Sequence, residues 1–442
     1  MSINKKIYFI QPTYRRMDGS LVKGWTLFNH SLNLSMLSGA VPADWSKEFC
    51  LEYYDEVNYD TDASVVVICC MGYDIMRALE MAKKLKSKRK KIIFGAHMDD
   101  FSEAILGKVC DSFFYGMPTP DDMKNMLEDL LADSLHPKYQ FGMNINYPFD
   151  YTMLKGKRMP FIQIIGSQGC INKCKYCCTA GVYKGRYQLR KIEFIISDLK
   201  NIRDITRYVS FIDPNIYNNR EYLKRLCSRI ISERIGVHWG AQSTINIGND
   251  REVLNLLYQS GCRVLFIGLE TLEQENLEIF GKEYLTDKYS EYVKNIRKAG
   301  INVVGYFMMG LDRDTLETFE NTYRFIRQSH LVLPIINVLL PVPGTAIYDQ
   351  LKSEGRILVD NFEKFLKDNP LYSVPCQHIF FTPRNMTAAE LESGFIKLAK
   401  RLFTTKEIFK RSIIPNPLHS FVLLLMNFEL RRKYMAMSNS FK

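Results

Sequence analysis

The chain has 442 residues, 46% hydrophobic and 24% charged, an ordinary globular balance and enough length for two or three domains. Eleven scattered cysteines, and a start in which Met1 to Lys6 leads straight into a strand-like run, give the expectation of a cytoplasmic protein with reduced thiols and no signal peptide. The net charge of +11 is moderate, no apolar run reaches bilayer length and no aromatic-and-basic module is visible, so neither a membrane span nor a nucleic-acid partner is expected.

Lys6 to Gln11 reads as a first strand, followed by a polar, turn-rich segment from Pro12 to Gly24 and a helix over about Leu27–Leu37. Phe49 to Tyr54 has strand character. Ala63 to Met71 is a continuous apolar run, which suits a central parallel strand covered on both faces. Ile75, Ala78, Leu79 and Ala82 share one face of a helix over Tyr73–Lys84. Lys91–Phe94 is the next strand, then a short helix over Phe101–Val109, a strand at Ser112–Tyr115 and an amphipathic helix over Asp121–Leu135. The basic run Lys83 to Lys91 reads as a solvated helix end.

Strands alternating with helices predict a doubly wound parallel sheet, which binds ligands at the carboxyl ends of its strands. Those ends carry Pro12-Thr13-Tyr14, Met71-Gly72-Tyr73, Gly95-Ala96-His97 and Gly116-Met117. Gly72, Gly95 and Gly116 are small enough to let a flat cofactor approach the backbone. No G-x-G-x-x-G follows the first strand, which argues against a dinucleotide site. Residues 141–158 lack a clear period and read as a linker from the domain at 1–140 to the next at 159–370.

The next strand, Phe161 to Ile165, is followed at once by Cys170-Ile-Asn-Lys-Cys174-Lys-Tyr176-Cys177-Cys178. Three cysteines in a C-x3-C-x2-C pattern on one loop are thiolate ligands for an iron–sulfur cluster. Structural zinc instead needs four ligands, and no second pair with that spacing is present. Cys178 lies outside the pattern and is expected to pack as a small hydrophobe.

Strand-like runs then alternate with helices: Tyr208–Ile212, Val237–Ala241, Arg263–Gly268, Asn302–Met309 and Pro334–Leu340, with helices between them. With Phe161–Ile165 they make six strands, an open (βα)6 partial barrel with its chemistry at the C-terminal rim. Residues 371–442 read as a helical tail. Its apolar segment Phe421 to Phe428, with Arg431-Arg432-Lys433 behind it, reads as a helix closing the barrel; contact with a membrane surface or a lipid-like substrate is the other reading.

The cysteine pattern, with Tyr176 before the third cysteine, resembles the radical S-adenosylmethionine (SAM) enzymes. The resemblance implies a 4Fe-4S cluster on Cys170, Cys174 and Cys177, whose open iron binds SAM and cleaves it reductively. It also implies SAM contacts from Gln242 and Glu270, from Gly310 with Met308 and Met309 beside it, and from Arg190, with Arg186 as its rival, to the SAM carboxylate. Asp213 and Asn215 are placed for substrate or cobalamin.

The first 140 residues resemble the flavodoxin-like cobalamin-binding domain of one large subgroup. Its strand end Gly-Gly-x-His-Pro-Thr stands here as Phe94-Gly95-Ala96-His97-Met98-Asp99, and its Asp-Glu pair as Asp55-Glu56. His97 is read equally as a cofactor contact and as a structural histidine. No Asp-x-His-x-x-Gly is present to place a histidine on cobalt. The implied activity is cobalamin-dependent methylation of an unactivated carbon in a small molecule, lipid-like if the apolar tail covers it, with flavodoxin or ferredoxin as electron donor. Tyr14 to Gly19 and Trp25 are guesses for substrate contacts. The alternatives are a non-methylating radical rearrangement or cyclisation, and a non-catalytic iron–sulfur redox sensor or electron carrier.

Overall fold

Val65 to Cys70 is buried at every position, and the strand it forms is central to the first of two sheets. The computed structural model describes residues 4–15, 19–24, 32–70, 74–96, 103, 105–157, 159–282, 284–358, 379–414 and 417–440. The first elements are β1 (Lys6–Gln11), α1 (Leu32–Ala40), β2 (Ser46–Leu51), β3 (Val65–Cys70), α2 (Ile75–Ser87), β4 (Lys91–Ala96), β5 (Ser112–Tyr115), α3 (Pro120–Leu131) and β6 (Lys138–Gln140). They make a parallel sheet of order β2-β1-β3-β4-β5-β6. The register sets Ile7 beside Val65 and Phe9 beside Val67. The order reverses at β1, which lies between β2 and β3.

Two local devices fix this sheet's surroundings. Thr119 and Asp122 form a capping box with Pro120 in the first turn, which starts α3. The basic run at the end of α2 is answered by acids: Lys86 pairs with Asp111, Lys88 with Asp60 and Lys91 with Asp133. This is a solvated, paired surface.

Within the segment 141–158, expected as a linker, residues 145–154 are packed. Ile145, Tyr147, Phe149, Tyr151 and Met153 are buried while residues between them are not. Their backbone is held by Arg190, which is fully buried. Its guanidinium donates to the carbonyls of Ile145 (2.9 Å) and Tyr147 (2.8 Å), pairs with Asp198 at 2.6 Å and stacks on Phe149.

The remaining elements are β7 (Ile162–Ile164), β8 (Ser167–Gly169), α4 (Cys178–Tyr183), β9 (Tyr187–Leu189), α5 (Ile192–Arg203), β10 (Tyr208–Phe211), α6 (Arg220–Ser232), β11 (His238–Ser243), α7 (Arg251–Gln259), β12 (Cys262–Glu270), α8 (Gln274–Ile279), α9 (Tyr289–Lys298), β13 (Asn302–Met309), α10 (Leu316–Gln328), β14 (Leu333–Val338), α11 (Ala346–Ser353), α12 (Ala388–Leu402), α13 (Thr405–Ser412) and α14 (Pro417–Ser440). The second sheet has the order β14-β13-β12-β11-β10-β7, and β11 to β14 pair in parallel. β8 and β9 pair with each other and bracket the cysteine loop.

Contacts divide the chain into two compact units. One holds Met1–Gln168 and Gln188–Val209; the other holds Gly169–Tyr187, Ser210–Asp360 and Pro375–Lys442. The first division falls after Gln168, and the Arg190–Asp198 pair lies with α5 in the first unit.

In the second unit α14 packs along β14. Asn427 donates to the Val332 carbonyl (3.1 Å), and Tyr434 exchanges hydrogen bonds with the backbone of Ile336. Its other face leaves Phe421, Val422, Leu425 and Phe428 exposed. Among the described residues no helix is long and apolar enough to cross a membrane.

Candidate active site

The cysteine loop lies wholly in the second unit, ahead of α4, which starts at Cys178. Gly169 enters the loop at φ +79°, a conformation open to glycine at no steric cost. The loop is seated on the first turn of α11: the Ile347 amide donates to the Lys175 carbonyl at 3.0 Å. A Cβ at Gly181 would stand 2.5 Å from the Gly344 carbonyl oxygen, so this approach needs glycine.

Cys170 is buried, Cys174 and Cys177 are half-buried, and all three are free thiols. Cys178 is exposed; it leads α4 rather than packing inside, a correction to its expected place. Burial pushes the Cys174 thiol up to about 11; Lys282 opposes this, while Cys177, Glu270 and Cys170 add to it. Among the described residues no three His, Cys, Asp or Glu side chains gather tightly enough to grip a single metal ion. The donor set is all sulfur, which is the chemistry a 4Fe-4S cluster requires.

Beside the loop lies a buried polar network. The Tyr176 hydroxyl donates to Glu270 Oε1 at 2.7 Å, and Lys282 Nζ reaches the same oxygen at 2.9 Å. Tyr176 packs edge-on against Phe280, ring centroids 4.7 Å apart. Burial and then the Glu270 carboxylate hold the Tyr176 phenol well above its usual range, so it stays a donor. Glu270 ends β12 at φ +63°, beside a register shift between Gly268 and Glu270. A β-branched or bulky residue tolerates that conformation poorly. The kink turns the carboxylate towards Tyr176 instead of leaving it in the pleat.

Gln242 is exposed on β11. Gly310 follows β13 at φ +91°, and its amide and that of Leu311 donate to Asp314 Oδ2 at 2.8 and 2.9 Å. Met309 is buried and Met308 half-buried. Asp213 and Asn215 are buried after β10. Arg186 is exposed, with Nε on the Tyr183 carbonyl.

Arg190 cannot serve the SAM carboxylate: it is fully buried in the first unit, bonded to Asp198 and two carbonyls. Lys282, Asn218 and Asp314 were absent from the sequence reading. Only Asp314, four residues past Gly310, had a positional cue.

In the first unit, Gly72, His97, Trp25 and residues 16–18 lie outside the described residues. Gly95 and Gly116 serve internal packing. A Cβ at Gly95 would stand 1.9 Å from the Phe114 ring, and one at Gly116 2.6 Å from the Phe141 carbonyl oxygen. Their smallness admits neighbours within the protein. Asp55 accepts from the Leu51 amide and pairs with Lys157, and Glu56 pairs with Lys23. Arg15 is tied to Glu80 and to the Gly19 carbonyl.

At the strand reversal, Glu52 is buried, accepts from the Thr13 amide at 3.0 Å and pairs with Arg77 at 2.5 Å. Gln11, the last residue of β1, donates to Asp74, but its buried Oε1 has no partner among the described residues. Cobalamin carries amide side chains around its ring, and an orphaned acceptor at this point suits one of them.

Residues 164–326 match the model of the radical SAM superfamily. Along most of its length the chain is similar to bacteriochlorophyllide d C-12(1)-methyltransferase of Chlorobaculum tepidum, 26% identical over 92% of this chain and 89% of that protein. It is 25% identical to the hopanoid C-2 methylase of Rhodopseudomonas palustris, over 81% and 72% of the two chains. The structure of the radical SAM methyltransferase TsrM from Kitasatospora setae, with cobalamin and a 4Fe-4S cluster bound, shares the fold at a TM-score of 0.69 and 12% identity, covering 98% of this chain and 100% of that one. The cobalamin-dependent SAM radical enzyme OxsB, with aqua-cobalamin and SAM bound, does so at 0.61 and 13% identity, over 97% and 72%. With its loop of three free thiols and this match, the chain carries a radical SAM domain over residues 164–326.

Proposed function

We propose that this protein is a cobalamin-dependent radical SAM methyltransferase acting on an unactivated carbon of a small molecule. The observation that carries the reading is the loop bearing Cys170, Cys174 and Cys177, in a chain similar over most of its length to proteins named as methyltransferases. The names of two relatives refer to large polycyclic molecules, bacteriochlorophyllide and a hopanoid, and a substrate of that kind is the class proposed here.

When bound, the cluster supplies the electron that cleaves SAM, and cobalamin supplies the methyl group. In this reading the three cysteines hold the cluster, and Tyr176 and Lys282 hold Glu270 in one orientation beside it. Gln242, Glu270 and Gly310 line the rim for SAM, and Arg186 is the remaining arginine candidate for its carboxylate. The first unit is read as a flavodoxin-like sheet with cobalamin at the β1/β3 reversal, where Gln11 Oε1 accepts from a corrin amide. The second is read as an open partial barrel. A small electron-transfer protein of the flavodoxin or ferredoxin kind would reduce the cluster.

The test is anaerobic reconstitution with iron, sulfide and cobalamin, then incubation with SAM, a reductant and candidate polycyclic substrates. Methyl transfer yields S-adenosylhomocysteine together with 5′-deoxyadenosine. 5′-Deoxyadenosine without S-adenosylhomocysteine would make the enzyme a non-methylating rearrangement or cyclisation catalyst. An intact cluster with no SAM turnover under any reductant would make it a redox sensor or electron carrier.

A further inference from the structure

Asn218 Nδ2 lies 3.5 Å from Cys170 Sγ, and Asn218 Oδ1 lies 3.8 Å from the same sulfur, where it accepts if the thiol is protonated. Which end of that amide faces the sulfur is settled by a second asparagine. Asn215 Oδ1 accepts from two backbone amides, Tyr217 at 3.1 Å and Thr244 at 3.3 Å. Asn215 must therefore turn its NH2 the other way, and it donates to Asn218 Oδ1 at 2.8 Å. With its oxygen so occupied, Asn218 presents N–H to Cys170. An amide orientation fixed by backbone donors is firmer than one assigned from a single contact. Asn215 is buried at 5% exposure and Cys170 at 8%, so water competes little for these bonds. The turn at Ile216–Asn218 places both asparagines, and Asn215 also caps it.

We infer that Asn218, oriented by Asn215, sets the reduction potential of the cluster by donating a hydrogen bond to the Cys170 thiolate. The inference rests on the cluster reading. Reduction adds one electron to the cluster and increases the negative charge on its sulfurs. A donor aimed at a ligand sulfur stabilises that charge, and hydrogen bonds to sulfur are among the features that set iron–sulfur potentials. Asn218 touches a ligand, not the substrate, and Asn215 acts only through it. Both are positioning residues.

Two variants of the full chain test this, each reconstituted anaerobically and titrated with dithionite as the one-electron source, with EPR reading the reduced cluster. Asn218→Leu keeps the volume and removes the donor. Asn215→Asp keeps the acceptor for Tyr217 and Thr244 but sets a carboxylate oxygen against Asn218. The Asn218 amide then turns over and presents its oxygen to Cys170, without any change at a cluster-contacting position. Each variant is expected to hold wild-type iron and sulfide and to show about a tenfold lower reduced-to-oxidised ratio at the wild-type midpoint, a fall of about 59 mV for one electron. The double variant should fall no further than Asn218→Leu alone. Midpoints unmoved in both single variants, with iron content intact, would overturn the inference while leaving the cluster reading standing. A wild-type protein that binds no iron would overturn both.

Discussion

Tyr176 and Glu270 are joined by a 2.7 Å hydrogen bond between the cysteine loop and the end of β12, and Lys282 shares the same carboxylate oxygen. Lys282 and Glu270 are both buried, with side chains 7% and 11% exposed. Removing one partner strands the other charge. Lys282→Met is expected to cost about 3–5 kcal/mol, the range for breaking a buried pair. The Glu270→Gln/Lys282→Met double variant should cost less than Lys282→Met alone. Tyr176→Phe removes one bond to a charged acceptor and should cost about 1.5–3 kcal/mol. Urea denaturation of the purified chain followed by near-UV circular dichroism measures all three.

Arg190 gives a prediction of the opposite kind. Its guanidinium is spent on Asp198, Ile145 and Tyr147, so Arg190→Met is expected to weaken the fold by about 3–5 kcal/mol. The affinity of the folded fraction for SAM should be unchanged. Equilibrium binding of SAM to the reconstituted variant reads this directly, and a large loss of affinity with normal folding would return Arg190 to the SAM site.

Gly95 is expected to resist any side chain because Phe114 occupies the space. Gly95→Ala should destabilise the first unit by about 1–3 kcal/mol through overpacking. Gly95→Ala combined with Phe114→Leu should recover part of that loss, as seen in paired thermal melts.

Asp314 supplies a pH dependence. Burial raises its carboxyl from 3.8 to about 7, against the pull of the Leu311 and Gly310 amides and Asn276. A carboxyl raised on folding binds its proton more tightly in the native state. The stability it contributes is complete below the unfolded value near 3.9 and is lost as pH rises through 7. Urea midpoints should therefore fall between pH 5 and pH 7.5, with the Asp314→Asn variant showing a smaller fall over the same interval.

The strands were legible where they were apolar and continuous. Val65 to Cys70 and Asn302 to Met309 needed only a largely apolar run bounded by turns. The packed segment at 145–154 was missed although Ile145, Tyr147, Phe149, Tyr151 and Met153 alternate with period two. Asn144 before them and Asn146 and Pro148 between them read as loop, and what buries the segment, Arg190 with Asp198, lies some 40 residues downstream. The cysteine loop was legible because its spacing is local. Lys282 and Asn218 were not, since each gains meaning only from partners that the fold brings near. Arg190 shows the converse: a residue type suited to a carboxylate, consumed by the nearest buried one.

The account depends on Cys170, Cys174 and Cys177 holding one cluster between them. Iron and acid-labile sulfide per chain, measured after anaerobic reconstitution of the wild type and of Cys170→Ala, Cys174→Ala, Cys177→Ala and Cys178→Ala, tests it most directly. The expected result is about four irons and four sulfides in the wild type and in Cys178→Ala, and a loss of most of both in each of the other three. Wild-type iron in Cys174→Ala would contradict it.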